Sequence, residues 1–403
     1  MIGKVLISYI EKRDFVVLDF LYKCLRLMRI YKKKLVWLDE VQGNKLNDIS
    51  KQLTCVSFSP VFNEGRGRKY NSNITISLYK FNTTLINIRS SSFYLISDDF
   101  VILERVPNIS LEFCNYSTGF VRVHNELYAL LRFNKKSIKL NRVFFLGGNG
   151  CFNYYHWLVE IIPRLLLVDN DVFKKYAIDY IVCDSSVRDI VSYRRLLEIV
   201  LNSRGIATPI FYIEKNCNLY AESVFYINSA NNVVFNTKNI LSSVEYSFFS
   251  IPILKDLREI LMKSIPSKKV KKSKIFLARK KSQLRSYNQE EIIEYLGTQG
   301  FEAVYLDDLA LEEQILLFNQ ADFIIGPSGA AWSNIIFCKK GCKAISWLSD
   351  EMSEFSVFSS LAKIFDCDMN FFIIDQVDNF DNIHSNYMVE LSKLKELYAK
   401  MII

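Results

Sequence analysis

Apolar runs and amphipathic stretches alternate regularly in the last third of the chain. The runs have the length of buried strands, and stretches with helical periodicity lie between them; they span residues 274–278, 302–306, 322–326 and 342–348. Asn288 and Glu291 have the spacing of a capping box, and Asp308 is placed to cap the next helix. This alternation predicts a doubly wound parallel sheet covered on both faces, of the nucleotide-binding type.

The earlier part of the chain has a different pattern. Residues 50–145 are rich in aromatic and β-branched side chains with short polar breaks, which predicts strands, among them 75–78, 93–96, 100–103 and 120–123. From about Tyr154, helical periodicity alternates with strands at 180–183 and 210–213. A lysine-rich segment, 267–274, is the best candidate for a hinge. We therefore predict an N-terminal lobe, 1–265, and a C-terminal lobe, 266–403, whose last helix packs back on the first.

Composition narrows the class of protein. The 403 residues suffice for two or three domains, and 50% hydrophobic residues with only 14 glycines and 7 prolines exclude a disordered or collagen-like chain. No apolar run approaches the roughly 20 residues of a membrane-spanning helix. The N-terminus lacks the pattern of a secretory signal, and the nine cysteines are scattered without a Cys-x-x-Cys. We expect a cytoplasmic protein with reduced, buried thiols.

The net charge of +8 suits an anionic ligand, an anionic membrane face or nucleic acid. Residues 19–37 have the pattern of a basic amphipathic helix, which is typical of either a membrane-surface contact or an ordinary helix packed on its own domain. Nucleic-acid binding has no support beyond the charge, because a basic stripe with interleaved aromatic residues and a known binding module are both missing from the sequence.

One candidate site is the segment Gly326-Pro-Ser-Gly-Ala-Ala-Trp-Ser-Asn334. A strand ends, small residues follow and a helix begins, so backbone amides and the helix dipole predict a cradle for phosphate oxygens. The alternative is a plain turn with Ser328 as the helix N-cap. The segment is neither a Gly-x-Gly-x-x-Gly loop nor a P-loop. Arg279 follows the first strand of the same domain and is placed to clamp a diphosphate.

A second candidate site is the segment from Asn153 to Arg164. On a helix, the spacings of three, four and four place Asn153, His156, Glu160 and Arg164 on one face. A histidine within hydrogen-bonding reach of a glutamate can act as a general base. A structural role for His156 is the alternative. Pro163 is expected to kink or end the helix.

These two segments resemble the family 61 glycosyltransferases. The similarity lies in Asn-x-x-His-Trp-x-x-Glu-x-x-Pro-Arg-Leu, here 153–165, and in a block over 274–347 that contains Phe-Leu-Ala-Arg279 and Gly326-Pro-x-Gly-Ala-Ala-x-x-Asn334. It covers roughly residues 140–350. The family usually has a histidine after Gly-Pro, where this chain has Ser328.

The resemblance implies a GT-B-like α/β fold, with two Rossmann-like lobes around a cleft and an extra β-rich N-terminal region. It also implies inverting transfer without an obligatory metal. The residues implied to bind a nucleotide-sugar are Arg279, Ser328, Gly329, Ala330, Ala331, Asn334 and Glu313. Glu160 is our first choice of base, with His156 as its partner or rival, and Asn153 and Arg164 bind acceptor or support the site. Two Asp-x-Asp pairs, at 169–171 and 366–368, lie away from the predicted cradle, and we expect no metal site there.

The function expected from these observations is transfer of a hexosyl or pentosyl unit from a nucleotide-sugar, with UDP favoured, to a saccharide or lipid-linked saccharide acceptor in capsule or lipopolysaccharide synthesis. The protein would be cytoplasmic, with contact at the inner face of the cell membrane left open. The alternative is a non-catalytic subunit that binds a nucleotide-sugar or glycan within an assembly complex. The sequence does not specify the donor sugar, the acceptor or the oligomeric state.

Overall fold

The computed structural model describes residues 30–62, 65, 67–104, 114–115, 119–233, 243–265, 273–280, 285–376 and 386–402. Their strands form two sheets. The first contains β1 Ile30–Trp37, β2 Lys45–Phe58, β3 Lys69–Ile86, β4 Ser92–Leu95, β5 Phe100–Leu103, β6 Cys114–Asn115, β7 Val121–His124, β8 Tyr128–Arg132, β9 Lys136–Phe145, β10 Tyr180–Asp184, β11 Ile210–Ile213, β12 Cys217–Ile227, β13 Asn231–Val233 and β14 Ser247–Phe249. The second contains β15 Lys274–Leu277, β16 Glu302–Val304, β17 Phe323–Ile325, β18 Lys343–Ser349, β19 Asp368–Gln376 and β20 Tyr387–Met388.

The helices lie mainly in the second half of the chain. The α-helices are α1 Asn170–Lys175, α2 Ser185–Asp189, α3 Val191–Ser203, α4 Ile251–Lys263, α5 Gln289–Thr298, α6 Leu311–Gln320, α7 Val357–Ile364 and α8 Leu391–Ile402. A π-helical turn, His156–Ile161, leads directly into a 3₁₀ helix, Ile162–Leu167, and a second long 3₁₀ helix spans Ala330–Phe337. None of the helices in the described ranges is long and apolar enough to span a membrane.

The second sheet has the doubly wound topology that the sequence predicts. Its strand order is β16-β15-β17-β18-β19-β20, and all pairs except the last are parallel. The central strands are short and almost wholly buried, because helices cover both faces and leave no polar side to the sheet. The chain reverses its winding direction beside β15, so β15 and β17 flank the switch point where such sheets bind ligands.

The first sheet is larger and mixed. The strands β11, β10, β9 and β12 lie side by side and are parallel, and β12 continues through antiparallel β3 into the β-rich part of the chain. The region 50–145, expected as an extra β-rich region, is therefore continuous with the parallel strands. The long strands β2 and β3 make up the central part of this β-rich region. Polar and apolar residues alternate along both strands, as expected for a sheet with one exposed face.

The predicted basic helix over residues 19–37 is wrong where it can be compared. Residues 1–29 lie outside the described ranges, and Ile30–Trp37 is strand β1, which pairs with β5 and β8. Its three lysines are consecutive, so they point to alternate faces of the strand, and the ammonium group of Lys33 lies 2.5 Å from the Asp99 carboxylate. The lysine-rich segment at 267–274 is described only from residue 273.

One predicted helix start is right in position and the other is wrong. Asn288 is the N-cap residue of α5, and its Nδ2 lies 2.6 Å from Glu291 Oε2. Its side chain makes no cap bond to the helix backbone and instead exchanges two hydrogen bonds with the backbone of Val389, at 2.9 and 3.1 Å. Helix α6 begins after Ala310 rather than Asp308. In both cases the side chain that was expected to cap the helix bonds to a residue distant in sequence. For Asp308 that residue is the exposed Lys280.

One apolar core joins the two sheets. The same cluster of buried side chains contains Ile76 of β3, Trp157 of the π-helical turn, Leu254 of α4 and Leu277 of β15. The buried residues of the last helix, α8, belong to the cluster on the other face of the second sheet. The predicted lobe boundary at residue 265 falls between α4 and β15 and stays a prediction.

Buried polar contacts supplement the apolar core where the end of β2 meets the second sheet. The backbone N–H of Phe58 donates to Ser360 Oγ of α7 at 2.8 Å, and Ser359 Oγ donates to the Phe58 carbonyl at 2.7 Å. A few residues on, the N–H of Phe371 in β19 donates to the Val61 carbonyl at 2.8 Å. The second sheet is thus held to β2 through the main chain.

Seven cysteines of the described part are buried and unbridged, namely Cys55, Cys151, Cys183, Cys217, Cys338, Cys342 and Cys367. Burial in apolar surroundings raises the pKa of the Cys55 thiol to about 12. These thiols occupy the core as small apolar side chains, in agreement with the prediction from their scattered spacing.

We expect Ser360→Ala to lower the free energy of unfolding by about 1–2 kcal/mol, because the N–H of Phe58 loses its acceptor. Urea denaturation provides the measurement, and exposed Ser97→Ala is the control, with a change within about 0.5 kcal/mol. Equal effects of the two substitutions would contradict a structural role for this contact.

Candidate functional site

The first half of the site lies at the switch point of the second sheet. Arg279 follows the carboxyl end of β15, and the segment beginning at Gly326 follows the carboxyl end of the neighbouring strand β17. Because parallel strands end at the same edge of a sheet, the two segments meet there. The Arg279 guanidinium donates from Nη2 to the Ser328 carbonyl. Arg279 and this turn are therefore in contact at the edge of the sheet.

Arg279 is held firmly by its own backbone. Its N–H donates to Gln289 Oε1 at 2.7 Å, and its carbonyl accepts from Gln289 Nε2 at 2.9 Å. Gly329 provides the room for the guanidinium, since a Cβ at that position would lie 2.7 Å from Arg279 Nη2. A larger residue would have to displace the charged group.

The turn itself is not a side-chain-capped helix start. The N-cap of the 3₁₀ helix Ala330–Phe337 is Gly329, with no side-chain cap bond, so the alternative of Ser328 as N-cap is not what the structure has. Buried Trp332 fixes the turn instead, because its indole Nε1 donates to the Pro327 carbonyl at 3.1 Å.

Arg279 and a second arginine, Arg285, line one pocket at this edge of the sheet. Arg285 has a left-handed backbone conformation, with φ of 57°. Burial lowers the pKa of its guanidinium, and the nearby positive charge of Arg279 lowers it further. No carboxylate lines the pocket among the residues that the structure describes. Two like charges held together in this way favour an anionic ligand.

The second half of the site follows β9 of the first sheet. The loop after β9 contains Gly148 and Gly150, both with positive φ, and leads into the π-helical turn His156–Ile161. Gly150 lies directly against the His156 ring, so that a Cβ there would be 2.3 Å from the ring carbon Cδ2. A glycine is therefore required at position 150 by both its conformation and its close approach.

His156 and Glu160 form the pair that their spacing predicts. His156 Nδ1 lies 2.6 Å from Glu160 Oε2, and the other carboxylate oxygen, Oε1, accepts the backbone N–H of Val233 at 2.8 Å. Glu160 is only 4% exposed and does not line the pocket, whereas His156 does. Burial, and then the negative charge of Glu160, raise the pKa of neighbouring Tyr155.

A cavity of about 230 Å³ connects the two halves. Its lining comprises Asn153, Tyr155, His156, Arg279, Arg285, Ser328, Gly329, Ala330, Trp347, Leu348, Ser349, Met352, Phe355, Val357, Phe358, Ile374 and Tyr387. The histidine of one predicted segment and the arginine and glycine turn of the other thus border one space. Six residues predicted from the sequence line it, namely Asn153, His156, Arg279, Ser328, Gly329 and Ala330.

Other predicted residues support the site from outside the lining. Arg164 Nη1 donates to the Gly147 carbonyl at 2.8 Å, and its guanidinium lies over the Tyr226 ring, 5.1 Å from the centroid. Fully buried Asn334 accepts from the Tyr154 hydroxyl at 2.7 Å. Arg164 therefore holds the loop before the π-helical turn, and Asn334 ties that turn to the second sheet.

The remaining two predicted nucleotide-sugar residues lie apart from the lining. Glu313 is exposed and accepts the Ala310 N–H at 2.9 Å, so its carboxylate caps its own helix, α6. Ala331 is half-buried against the apolar core. Asn153, which does line the cavity, accepts the Tyr155 N–H at 2.9 Å and so starts the turn.

The sequence analysis missed the apolar wall of the pocket. Trp347 and Leu348 near the end of β18, Ile374 in β19, and Phe355 and Phe358 around the start of α7 form this wall. The available signal was the carboxyl end of each parallel strand after the switch point, where side chains face the ligand crevice. Tyr387, from antiparallel β20, had no such signal.

Neither Asp-x-Asp pair borders the pocket. Asp169 is the N-cap of α1 and accepts the Val172 N–H at 3.1 Å. Asp368 accepts from Asn370 Nδ2 at 2.9 Å on β19. Across the described residues, no three His, Cys, Asp or Glu side chains come together as a metal-binding group.

Comparison with known proteins finds one matching family model. The family model described as Glycosyltransferase 61 matches residues 154–345, just under half of the chain. No curated protein sequence matches the chain. The segment matched by the family model contains His156, Glu160, Arg279 and the 326–334 turn, so it supplies residues of both halves of the site.

Among solved structures, the chain is similar to the bacterial iron-containing dodecameric glycosyltransferase TibC from enterotoxigenic E. coli H10407. The identity is 11%, the match covers 72% of this chain and 77% of that chain, and the TM-score is 0.23. At that TM-score the overall similarity of the two folds is low.

We expect Gly150→Ala to destabilise the protein more than Gly205→Ala does. Both glycines have positive φ, so each substitution costs about 1–2 kcal/mol of backbone strain. Only the Cβ at position 150 meets another group, the His156 ring, and it adds an overpacking cost of about 1–3 kcal/mol. Chemical denaturation of both variants measures the difference. Equal losses would mean that the His156 ring is not held against Gly150.

Proposed function

We propose that this protein is an inverting glycosyltransferase of GT-B type that transfers a sugar from a nucleotide-sugar to a saccharide or lipid-linked saccharide acceptor. The observation that carries the proposal is the single pocket bordered by His156 on one side and by Arg279, Ser328 and Gly329 on the other. A leaving group and a base must face the same anomeric carbon, and this pocket offers a place for both.

The diphosphate of the donor binds at Arg279 and Arg285. Two guanidiniums present several N–H donors to phosphate oxygens, and they stabilise the charge that develops as the sugar–phosphate bond breaks. Burial, and then repulsion from Arg279, lower the pKa of the Arg285 guanidinium, and a bound anion would offset both effects. With this charge in place, the reaction needs no metal ion at the diphosphate.

The apolar wall binds the flat or apolar part of a substrate. Trp347, Phe355 and Phe358 offer surfaces on which a nucleobase or the apolar part of a lipid-linked acceptor can pack. UDP is the nucleotide that the family resemblance favours. The guanidiniums and the apolar wall together accept a molecule that is charged at one end and apolar at the other.

His156 is the general base, and Glu160 orients it. The acceptor hydroxyl oxygen bonds to the anomeric carbon while the bond from that carbon to the diphosphate oxygen breaks, and the bonding electrons leave with the diphosphate. The hydroxyl proton passes to Nε2 of His156, because Nδ1 is hydrogen bonded to Glu160. The role of general base is thus assigned to His156 rather than to Glu160, which was our first choice from the sequence. Both carboxylate oxygens of Glu160 already accept hydrogen bonds, from His156 and from Val233.

The cellular role follows from the acceptor class. Saccharide and lipid-linked saccharide acceptors belong to capsule or lipopolysaccharide synthesis, so we place the protein in the cytoplasm, with access to the inner face of the membrane. The competing function is a non-catalytic subunit that holds a nucleotide-sugar or glycan. Ser328 in place of the usual histidine favours that alternative, and the retained His156–Glu160 pair opposes it.

We expect UDP or another nucleoside diphosphate to raise the melting temperature by a few degrees when present at about 100 times its Kd. Arg279→Ala weakens this binding by about 10-fold to 100-fold, because charge-assisted hydrogen bonds to the phosphates are lost. Thermal denaturation against nucleotide concentration measures both effects. Lys280→Ala is the matched control, since Lys280 is exposed and paired with Asp308. A wild-type protein with no shift for any nucleoside diphosphate would refute the proposed donor site.

We expect His156→Ala to lower the rate of sugar transfer or slow donor hydrolysis by about 100-fold or more while nucleotide binding persists. Glu160→Gln keeps the acceptor for Val233 and loses the charge that supports the imidazolium, so a smaller loss of about 10-fold is expected. Nucleotide release from a panel of nucleotide-sugars gives the rates. A larger loss in Glu160→Gln than in His156→Ala would assign the base to Glu160. No turnover by the wild-type protein with donor and acceptor present would favour the binding subunit.

A further inference from the structure

The carbonyls of the His156–Glu160 turn lie where one type of helix changes into another. The N–H of Ile162 donates to the Trp157 carbonyl at the end of the π-helical turn, and the next residue, Pro163, has no N–H to donate. Pro163 stands in the first turn of the 3₁₀ helix that follows. Val159 and Glu160 are buried, so their carbonyls need hydrogen-bond donors, which another segment of the fold can supply.

Asn231 supplies that donor. Its Nδ2 donates to the Val159 carbonyl at 2.9 Å, and its Oδ1 accepts the backbone N–H of Ser250 at 2.8 Å. The residue has no solvent exposure. The amide therefore links a backbone carbonyl of the turn to the backbone N–H that precedes α4, and it needs both its donor and its acceptor.

The next carbonyl of the turn, that of Glu160, is also bound from this segment. Ser229 Oγ donates to it at 3.1 Å, and the backbone N–H of Ser229 donates to Glu104 Oε1 at 3.0 Å. Two successive carbonyls of the turn thus receive side-chain donors from residues 229 and 231.

The same short strand also holds the Glu160 side chain. Strand β13, Asn231–Val233, begins at the residue that binds the Val159 carbonyl and ends at the residue whose N–H binds Glu160 Oε1 at 2.8 Å. The backbone and the carboxylate of Glu160 are thus fixed to one element. The carboxylate in turn sets the position of the His156 ring through the 2.6 Å contact to Nδ1.

We propose that Asn231 is a positioning residue for the His156–Glu160 pair: its amide binds the Val159 carbonyl of the turn and aligns β13 so that Glu160 holds His156 toward the pocket. Its kinetic consequence rests on the proposed function, and its structural consequence does not. Asn231 touches no substrate, since it does not line the pocket.

A matched control lies three residues earlier. Asn228 is also buried and also makes two hydrogen bonds to backbone groups, from Nδ2 to the Thr75 carbonyl at 2.9 Å and to Oδ1 from the Ser77 N–H at 2.8 Å. Its partners lie on β3, and none belongs to the π-helical turn. Asn228→Ala and Asn231→Ala therefore remove equivalent bonds, and only the second reaches the His156–Glu160 pair.

The experiment compares the two variants in the full chain by two readouts. The first is the imidazole N–H signal of His156 in ¹H–¹⁵N spectra of histidine-labelled protein, which contains three histidines and is assigned with His156→Ala. The second is kcat and KM for hydrolysis of the nucleotide-sugar that the wild-type protein turns over. Urea denaturation of each variant records the loss of stability common to both.

Asn231→Ala is expected to shift or abolish the Nδ1–H signal of His156 and to lower kcat by about 10-fold or more, as misplacement of a catalytic group does. KM is expected to stay within about twofold, because ground-state binding is untouched. Asn228→Ala is expected to retain the signal and kcat despite a similar loss of stability. Identical behaviour of the two variants in the spectra would overturn the proposal.

Ser229→Ala decides the question if Asn231→Ala does not fold. It removes the Oγ contacts to the Glu160 carbonyl and to the backbone of Asn231, leaves the Asn231 side chain in place, and is expected to give the same spectral change to a smaller extent. An unchanged His156 signal in Ser229→Ala, with Asn231→Ala unfolded, would also overturn the proposal. If the wild-type protein turns over no nucleotide-sugar, the proposed function fails, and the His156 signal still tests the positioning role.

Discussion

The continuous apolar core between the two sheets is the constraint on which the site depends. The loop after β9 carries His156, and the ends of β15 and β17 carry Arg279 and the glycine turn. These segments belong to different sheets and are far apart in sequence, so nothing local holds them together. The buried cluster that contains Trp157, Leu254 and Leu277 fixes one sheet against the other. Between the strand ends it leaves the cavity of about 230 Å³.

The two sheets contribute different kinds of charged and polar groups to the pocket. The second sheet supplies positive charge without a described carboxylate in the lining, and the first supplies a histidine backed by a buried carboxylate. Such an arrangement keeps the acid–base pair away from the guanidiniums, which would otherwise compete for Glu160. The backbone N–H of Val233 satisfies the second oxygen of that carboxylate without adding a charge.

Much of the second sheet was predictable, because short buried runs separated by amphipathic stretches admit few alternatives. Strands near 274, 302, 322 and 342 were all found close to their expected bounds. The pairing of His156 with Glu160 also followed from spacing, since i and i+4 positions meet on a helical turn whether it is α or π. The parallel order of β9 to β12 and their continuity with the antiparallel strands depended on long-range pairing, which a sequence pattern does not encode.

The errors have a common physical origin. In each case partners distant in sequence outweighed the local preference. The Asn288 side chain, expected to cap a helix, bonds to Val389, and residues 30–37, expected to be helical, pair as strand β1 with β5 and β8. Glu313 likewise matched a motif, and its carboxylate serves its own helix. The apolar wall went unnoticed because aromatic residues at strand ends look the same as core residues until the topology is known.

The bond between Arg279 and the main chain at position 328 bears on how this motif can vary among proteins. A carbonyl oxygen is present whatever amino acid occupies the position, so the guanidinium keeps its anchor when the side chain changes. A change of side chain at position 328 would therefore alter the groups offered to a ligand and leave the anchor of the arginine in place. Chemistry and scaffold are separable at this one residue.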